Sequence, residues 1–109
     1  MPVANVYPLY LAKVTRKDRT EAELLKVIEW LTGFDSKALK SHLKNETTFR
    51  EFFKSAKIHP KSKLITGSIC GVKIEEIEDP LMKNIRCLDK LVDELAKGRP
   101  MEKILRSGL

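Results

Sequence analysis

The sequence predicts an all-α protein: one domain over residues 1–109, a bundle of about six or seven short helices, the longest near residues 80–97. Three observations predict it. Apolar residues recur with the helical period of about 3.6 residues, in Leu24, Ile28 and Leu31 and again in Leu81, Ile85, Leu88, Val92 and Leu95. Start and stop signals bracket those runs, among them a Thr20–Glu23 capping box, Gly33, Pro80 and Gly98. The one strand-like segment, Ile65-x-Gly67-x-Ile69, has no convincing strand partner elsewhere in the chain, and a lone strand leaves its backbone polar groups unsatisfied.

Residues 6–17 read as the first helix, with Pro8 in its opening turn, where a missing N–H is no loss. The second covers 20–32, from the capping box to Gly33, and buries Trp30 and Leu31 with Phe34 just beyond. Asp35 or Ser36 caps a third helix carrying Leu39 and Leu43. Thr47 or Thr48 caps a fourth, with Phe49, Phe52 and Phe53 along one side as core. His59-Pro60 closes that region, because the residue before proline avoids the α conformation.

Residues 61–79 predict a short helix through Cys70, a turn at Gly71 with positive φ, and a second short helix over 73–78. In that reading Gly67 lets a neighbouring helix approach, and Ile74 and Ile77 turn inward. Pro80 then opens the long helix, whose outer face is expected to carry Asp79–Lys83, Lys90–Glu94 and Asp93–Lys97 pairs. Gly98 ends it, and Pro100 starts a final short helix with Ile104 and Leu105. The core should include Trp30, Leu31, Phe49, Phe52, Ile69, Ile77, Ile85, Leu88 and Val92.

A chain that is 42% hydrophobic and 33% charged fits a folded globule and excludes disorder. No apolar run approaches the roughly 20 residues a membrane span needs. The opening Met1-Pro2-Val3-Ala4-Asn5 has neither the basic nor the apolar region of a signal peptide, so a cytoplasmic protein without membrane contact is expected. Cys70 and Cys87 are accordingly expected to be reduced, buried thiols that pack as small hydrophobes.

The net charge of +6 is uneven: residues 1–63 hold 13 Lys or Arg against 7 Asp or Glu, and residues 64–109 hold 8 of each. The densest basic stretch runs through Lys37, Lys40, Lys44, Arg50, Lys54, Lys57, Lys61 and Lys63, opposed by Glu46 and Glu51. Such a field attracts polyanions, although lysines on a helix surface also serve plain solvation.

No residue pattern here supports catalysis. His42 and His59 are the two histidines, without HExxH or metal-ligand spacing, and the run Glu75, Glu76, Glu78, Asp79 lacks the Asp/Asn–Gly loop of a calcium site. A Cys70 nucleophile with His59 as base can be drawn, but nothing in the sequence joins them. No catalytic, cofactor-binding or metal residues are assigned, and no cofactor is expected. The stretch Gly67–Val72 followed by Ile74 and Ile77 has a helix–turn–helix rhythm, yet its second helix would present four carboxylates to phosphate, which argues against nucleic acid.

Motifs in order along the whole chain resemble the bacterial domain of unknown function 2200 family. They are Val6-Tyr7-Pro8-Leu9-Tyr10, Trp30-Leu31-Thr32-Gly33-Phe34, Leu64-Ile65-Thr66-Gly67, Cys70-Gly71-Val72, Glu75-Glu76-Ile77-Glu78-Asp79-Pro80-Leu81-Met82, Leu88-Asp89-Lys90-Leu91, Asp93-Glu94-Leu95-Ala96-Lys97-Gly98 and Met101-Glu102-Lys103-Ile104-Leu105. The resemblance implies a small all-α orthogonal bundle and brings no activity, cofactor or catalytic residue. The family pattern is more acidic around 44–57 and tends to tyrosine at the position of Cys87, so the basic stretch reads as peculiar to this chain. The expected function is a non-catalytic binding or interaction module, its partner unidentified, with another protein as the candidate, and its oligomeric state open. The alternative is a weak, sequence-blind nucleic-acid or polyanion binder through residues 37–63, contacting it with Lys40, Lys44, Lys54, Lys57 and Lys61.

Overall fold

The structure, a computed structural model, describes residues 2–69 and 71–105, and the side chains of Lys61 and Lys63 lie outside that description. Among the described residues the fold is all-α apart from one two-stranded hairpin. Six α-helices run in the order α1 (Val3–Thr15), α2 (Glu21–Thr32), α3 (Ser36–Lys44), α4 (Phe49–Ser55), α5 (Pro80–Ala96) and α6 (Met101–Ile104). Two 3-10 turns, Pro60–Leu64 and Ile74–Glu76, and the strands β1 (Ser68–Ile69) and β2 (Val72–Lys73) fill the stretch between α4 and α5.

The first helix starts three residues earlier than the spacing predicts, and Pro8 sits inside it. The cause is tertiary. Val3 N–H donates to the Thr47 carbonyl at 2.8 Å, and Pro2 bridges to Thr48, so the start of the chain is tied to the loop before α4 instead of fraying. The second helix has the predicted reciprocal capping box, with Thr20 accepting from Glu23 N–H and the Glu23 carboxylate from Thr20 N–H. It ends at Gly33 with φ +75°, where a Cβ would lie 2.9 Å from the Lys57 carbonyl oxygen. Glycine is required there because residues 57–59 return against the helix end, Lys57 N–H and His59 N–H donating to the Thr32 and Leu31 carbonyls. Asp35 caps α3, Thr48 caps α4 and Asp79 caps α5, each accepting a hydrogen bond from the first turn.

The segment 64–79 departs from the sequence reading. Where a helix through Cys70 is predicted, Ser68–Ile69 form β1, Cys70 itself lying outside the described residues, and in place of the helix over 73–78 the end of β2 leads into a single 3-10 turn. Ser68 pairs with Lys73 and Ile69 with Val72, and Ile74 N–H closes the ladder onto the Gly67 carbonyl at 2.9 Å. The strand's partner is four residues away, so no distant strand was needed. Positive φ at both Gly67 (+101°) and Gly71 (+79°) breaks any helix across the segment and turns the chain back on itself. Gly71 thus has the predicted conformation. Gly67 does not admit a helix; its nearest neighbour is the end of the Lys90 side chain. Lys90 Nζ donates to the Ser68 carbonyl, and Ile74 is fully buried, which docks the hairpin on α5.

The core collects Val14, Leu24, Val27, Leu31, Leu39, Phe52, Leu88, Leu91 and Leu95 around α5, which packs against α1, α2, α4 and α6. Of the predicted members Leu31, Phe49, Phe52, Leu88 and Val92 are buried, while Trp30, Ile69 and Ile85 are half-buried at its edge and Ile77 is half-buried. Trp30 stacks on the His59 ring at 4.3 Å instead of entering the core. Cys87 is buried; the burial and redox state expected of Cys70, and its pairing with His59, fall outside the described residues. No helix is long and apolar enough to cross a membrane among the described residues.

Candidate functional site

Helices α1 and α5 run side by side in the same direction. Tyr10 meets Asp89, Lys13 meets Asp93, and beyond the helix ends Arg19 meets Arg99, so residue numbers rise together across the seam. Both helix starts therefore lie at one end of the seam and both helix ends at the other. Each end opens into a concavity.

At the starting end a groove of about 840 Å³ is lined by Val6 of α1, the cap Thr48 with Phe49 and Arg50 of α4, and Leu81, Met82, Ile85, Arg86 and Asp89 of α5. Its apolar lining reaches the surface at Met82, 39% exposed; Leu9, three residues on from Val6 along α1, is 68% exposed. At its polar side Asp89 accepts from the buried Tyr10 hydroxyl and, at 3.1 Å, from Arg86. That carboxylate is satisfied, and Arg50 stands exposed on the rim. Tyr7, on the neighbouring face of α1, donates to Glu21 at 2.7 Å; burial first, then that hydrogen bond and the Glu21 charge, hold its hydroxyl well above the usual tyrosine pKa.

At the other end a crevice of about 440 Å³ is lined by Lys13 of α1 with Arg16 and Lys17 of the turn that follows it, and by Asp93 and Ala96 of α5 with Lys97 just past its end. Asp93 joins its walls: Oδ1 takes Lys13 at 3.2 Å and Oδ2 takes Lys97 at 2.9 Å. Burial pulls the Asp93 pKa up, but the two lysine hydrogen bonds and charges outweigh it and leave the carboxyl below its ordinary value. The expected Asp93–Lys97 pair is thus present, whereas Lys90–Glu94 is not. Glu94 is buried and pairs with Arg99 at 2.9 Å, while Lys90 reaches the hairpin.

Residues 1–106 match a family described as an uncharacterized protein conserved in bacteria, DUF2200. The chain belongs to that family. A similar solved structure, the crystal structure of uncharacterized protein SP1917, has 44% identity over 98% of this chain and 88% of its own, with a TM-score of 0.91. No relative is found among curated proteins. The solved structure shares this fold, and the chemistry of the DUF2200 chain is left to be read from its side chains.

Of the lysines singled out in the sequence, Lys40, Lys44, Lys54 and Lys57 do not line either concavity. Lys40 and Lys44 are exposed one turn apart on α3, Lys54 is exposed at the end of α4, and Lys57 is exposed against the end of α2. The Lys61 side chain lies outside the description. Of the residues that do converge, Arg50 stands out in the sequence only as part of the basic stretch and Lys97 only in a helix-surface pair, while Lys13, Arg16, Lys17, Met82 and Arg86 do not stand out. The spacing of Lys13, Arg16 and Lys17 marks one helical face, but their convergence with Lys97 depends on the parallel packing of helices about 80 residues apart, as in the Lys13–Asp93 pair.

Proposed function

We propose that this member of the DUF2200 family is a non-catalytic interaction module of the cytosol that seats an amphipathic segment of another protein, one with carboxylates beside its apolar face, in the α1–α4–α5 groove. One observation carries the reading: the apolar lining of the groove reaches the surface at exposed Met82, and Leu9, three residues on from Val6 along α1, is exposed as well. The carboxylates follow from charge. Asp89 is matched by Arg86 and Tyr10, which leaves Arg50 as the excess charge on the rim. The exposed lysines on α3 and α4 support the weaker alternative of sequence-blind polyanion binding.

A photo-crosslinking residue in place of Met82, with one in place of exposed Lys26 as control, tests the docking in cells. The expected result is a discrete adduct with another protein at position 82 that is lost with Arg50→Glu and absent at position 26. An adduct with a second copy of this chain would make the groove a dimer face instead. Adducts at both positions, or indifference to Arg50→Glu, would overturn the proposal.

A further inference from the structure

The charge at the closing end of the seam exceeds what the fold needs. Parallel helices bring two negative dipole ends together, and cations near a helix C-terminus are a stabilising answer. Each end is equivalent to about −0.5 charge, so α1 and α5 together present about −1. The crevice holds four cations, Lys13, Arg16, Lys17 and Lys97, against the single carboxylate Asp93, an excess of three positive charges. Dipole compensation therefore leaves about two unaccounted for. Neighbouring cations are accounted for separately: Arg19 pairs with Glu23 at 2.8 Å and Arg99 with Glu94. Among the described residues Arg16 and Lys17 have no ion pair.

We infer that this crevice is an anion site for an oligophosphate group, inorganic or carried by a nucleotide. Its geometry is prearranged. Each Asp93 oxygen holds one ammonium group, which fixes Lys13 and Lys97 on opposite walls and leaves each with N–H groups to donate. The half-buried carboxylate, held ionised by those lysines, orients them without discharging them. Arg16 supplies a planar fork and Lys17 a further point charge at the mouth, the combination that suits phosphate oxygens. The volume of about 440 Å³ falls within the span of small-ligand sites. This site is separate from the apolar groove, and neither depends on the other being correct.

Calorimetric titration of the whole protein with inorganic pyrophosphate, ADP and sulfate at about 0.15 M salt tests it, because that salt already screens diffuse attraction. The parent should bind pyrophosphate more tightly than sulfate. Arg16→Ala with Lys17→Ala should weaken pyrophosphate binding by about tenfold or more, the loss of two charge-assisted contacts. Lys40→Ala with Lys44→Ala makes the same change in net charge on α3 and should leave binding unaltered. ADP binding as tight as pyrophosphate would assign the site to the phosphates alone, and tighter ADP binding to a nucleotide; both fit the inference. No binding by the parent, equal losses in the two double variants, or far tighter binding of a short DNA duplex through Arg16 and Lys17 would overturn it, the last in favour of a nucleic-acid backbone.

Discussion

At the starting end of the α1–α5 seam, Val6, Leu81, Met82 and Ile85 line a groove whose one carboxylate is fully matched. At the closing end of the same two helices, Lys13, Arg16, Lys17 and Lys97 crowd a crevice whose one carboxylate is outnumbered. The buried residues between them, Tyr10, Val14, Leu88, Leu91, Val92 and Leu95, belong to one core. Packing thus requires the seam but does not dictate what either end displays. The parallel run of the two helices explains why cations gather at the closing end at all, and their excess over two dipole ends is what marks that end as more than structural.

The strongest way to break the comparison is to remove what both ends share. Leu88 is fully buried in the seam, and Leu88→Ala should cost about 2–5 kcal/mol in urea unfolding, the range for a core leucine that leaves a cavity. Unfolding at the parent's midpoint would mean that the two ends do not depend on one packed core.

A smaller effect separates the ends by pH. Asp93 has a depressed carboxyl pKa, so the folded state holds its proton less tightly than the unfolded chain, where an aspartate titrates near 4. Its contribution to stability is present above that unfolded value and is lost as pH falls through the lower folded one. Glu23 adds in the same direction through the Thr20 backbone hydrogen bond. Unfolding midpoints followed from pH 7 into acid should therefore fall, and Asp93→Asn should flatten part of that fall. An identical acid profile in the variant would show that Asp93 is not holding the closing end together.

How much of this could be read in the sequence differs from place to place. The α2 boundaries were legible because the Thr20–Glu23 box and Gly33 act within one turn of the residues they affect. The periodic apolar stripe of α5 was legible for the same local reason. The hairpin was not, because Ile65, Ile69 and Val72 suit either period and the decision lay in two glycines with positive φ and a partner strand four residues away. Glu94 was read as an outer-face residue because i,i+4 spacing says nothing of Arg99, which folds back past the helix end to meet it. The lysine-rich stretch is prominent along the chain, yet Lys40, Lys44, Lys54 and Lys57 line neither concavity. Neither concavity was legible, since each takes its residues from segments far apart in sequence, brought together only by the direction in which α1 and α5 pack.

Backbone amide chemical shifts of the parent, followed through a titration with inorganic pyrophosphate, test most directly whether the two ends are distinct sites. The predicted result is a set of shifts confined to residues 13–19 and 93–99, the closing ends of α1 and α5, with residues 48–50 and 81–86 unmoved. Shifts concentrated instead in residues 37–57, the exposed lysines of α3 and α4, or spread equally into the apolar groove, would contradict the account.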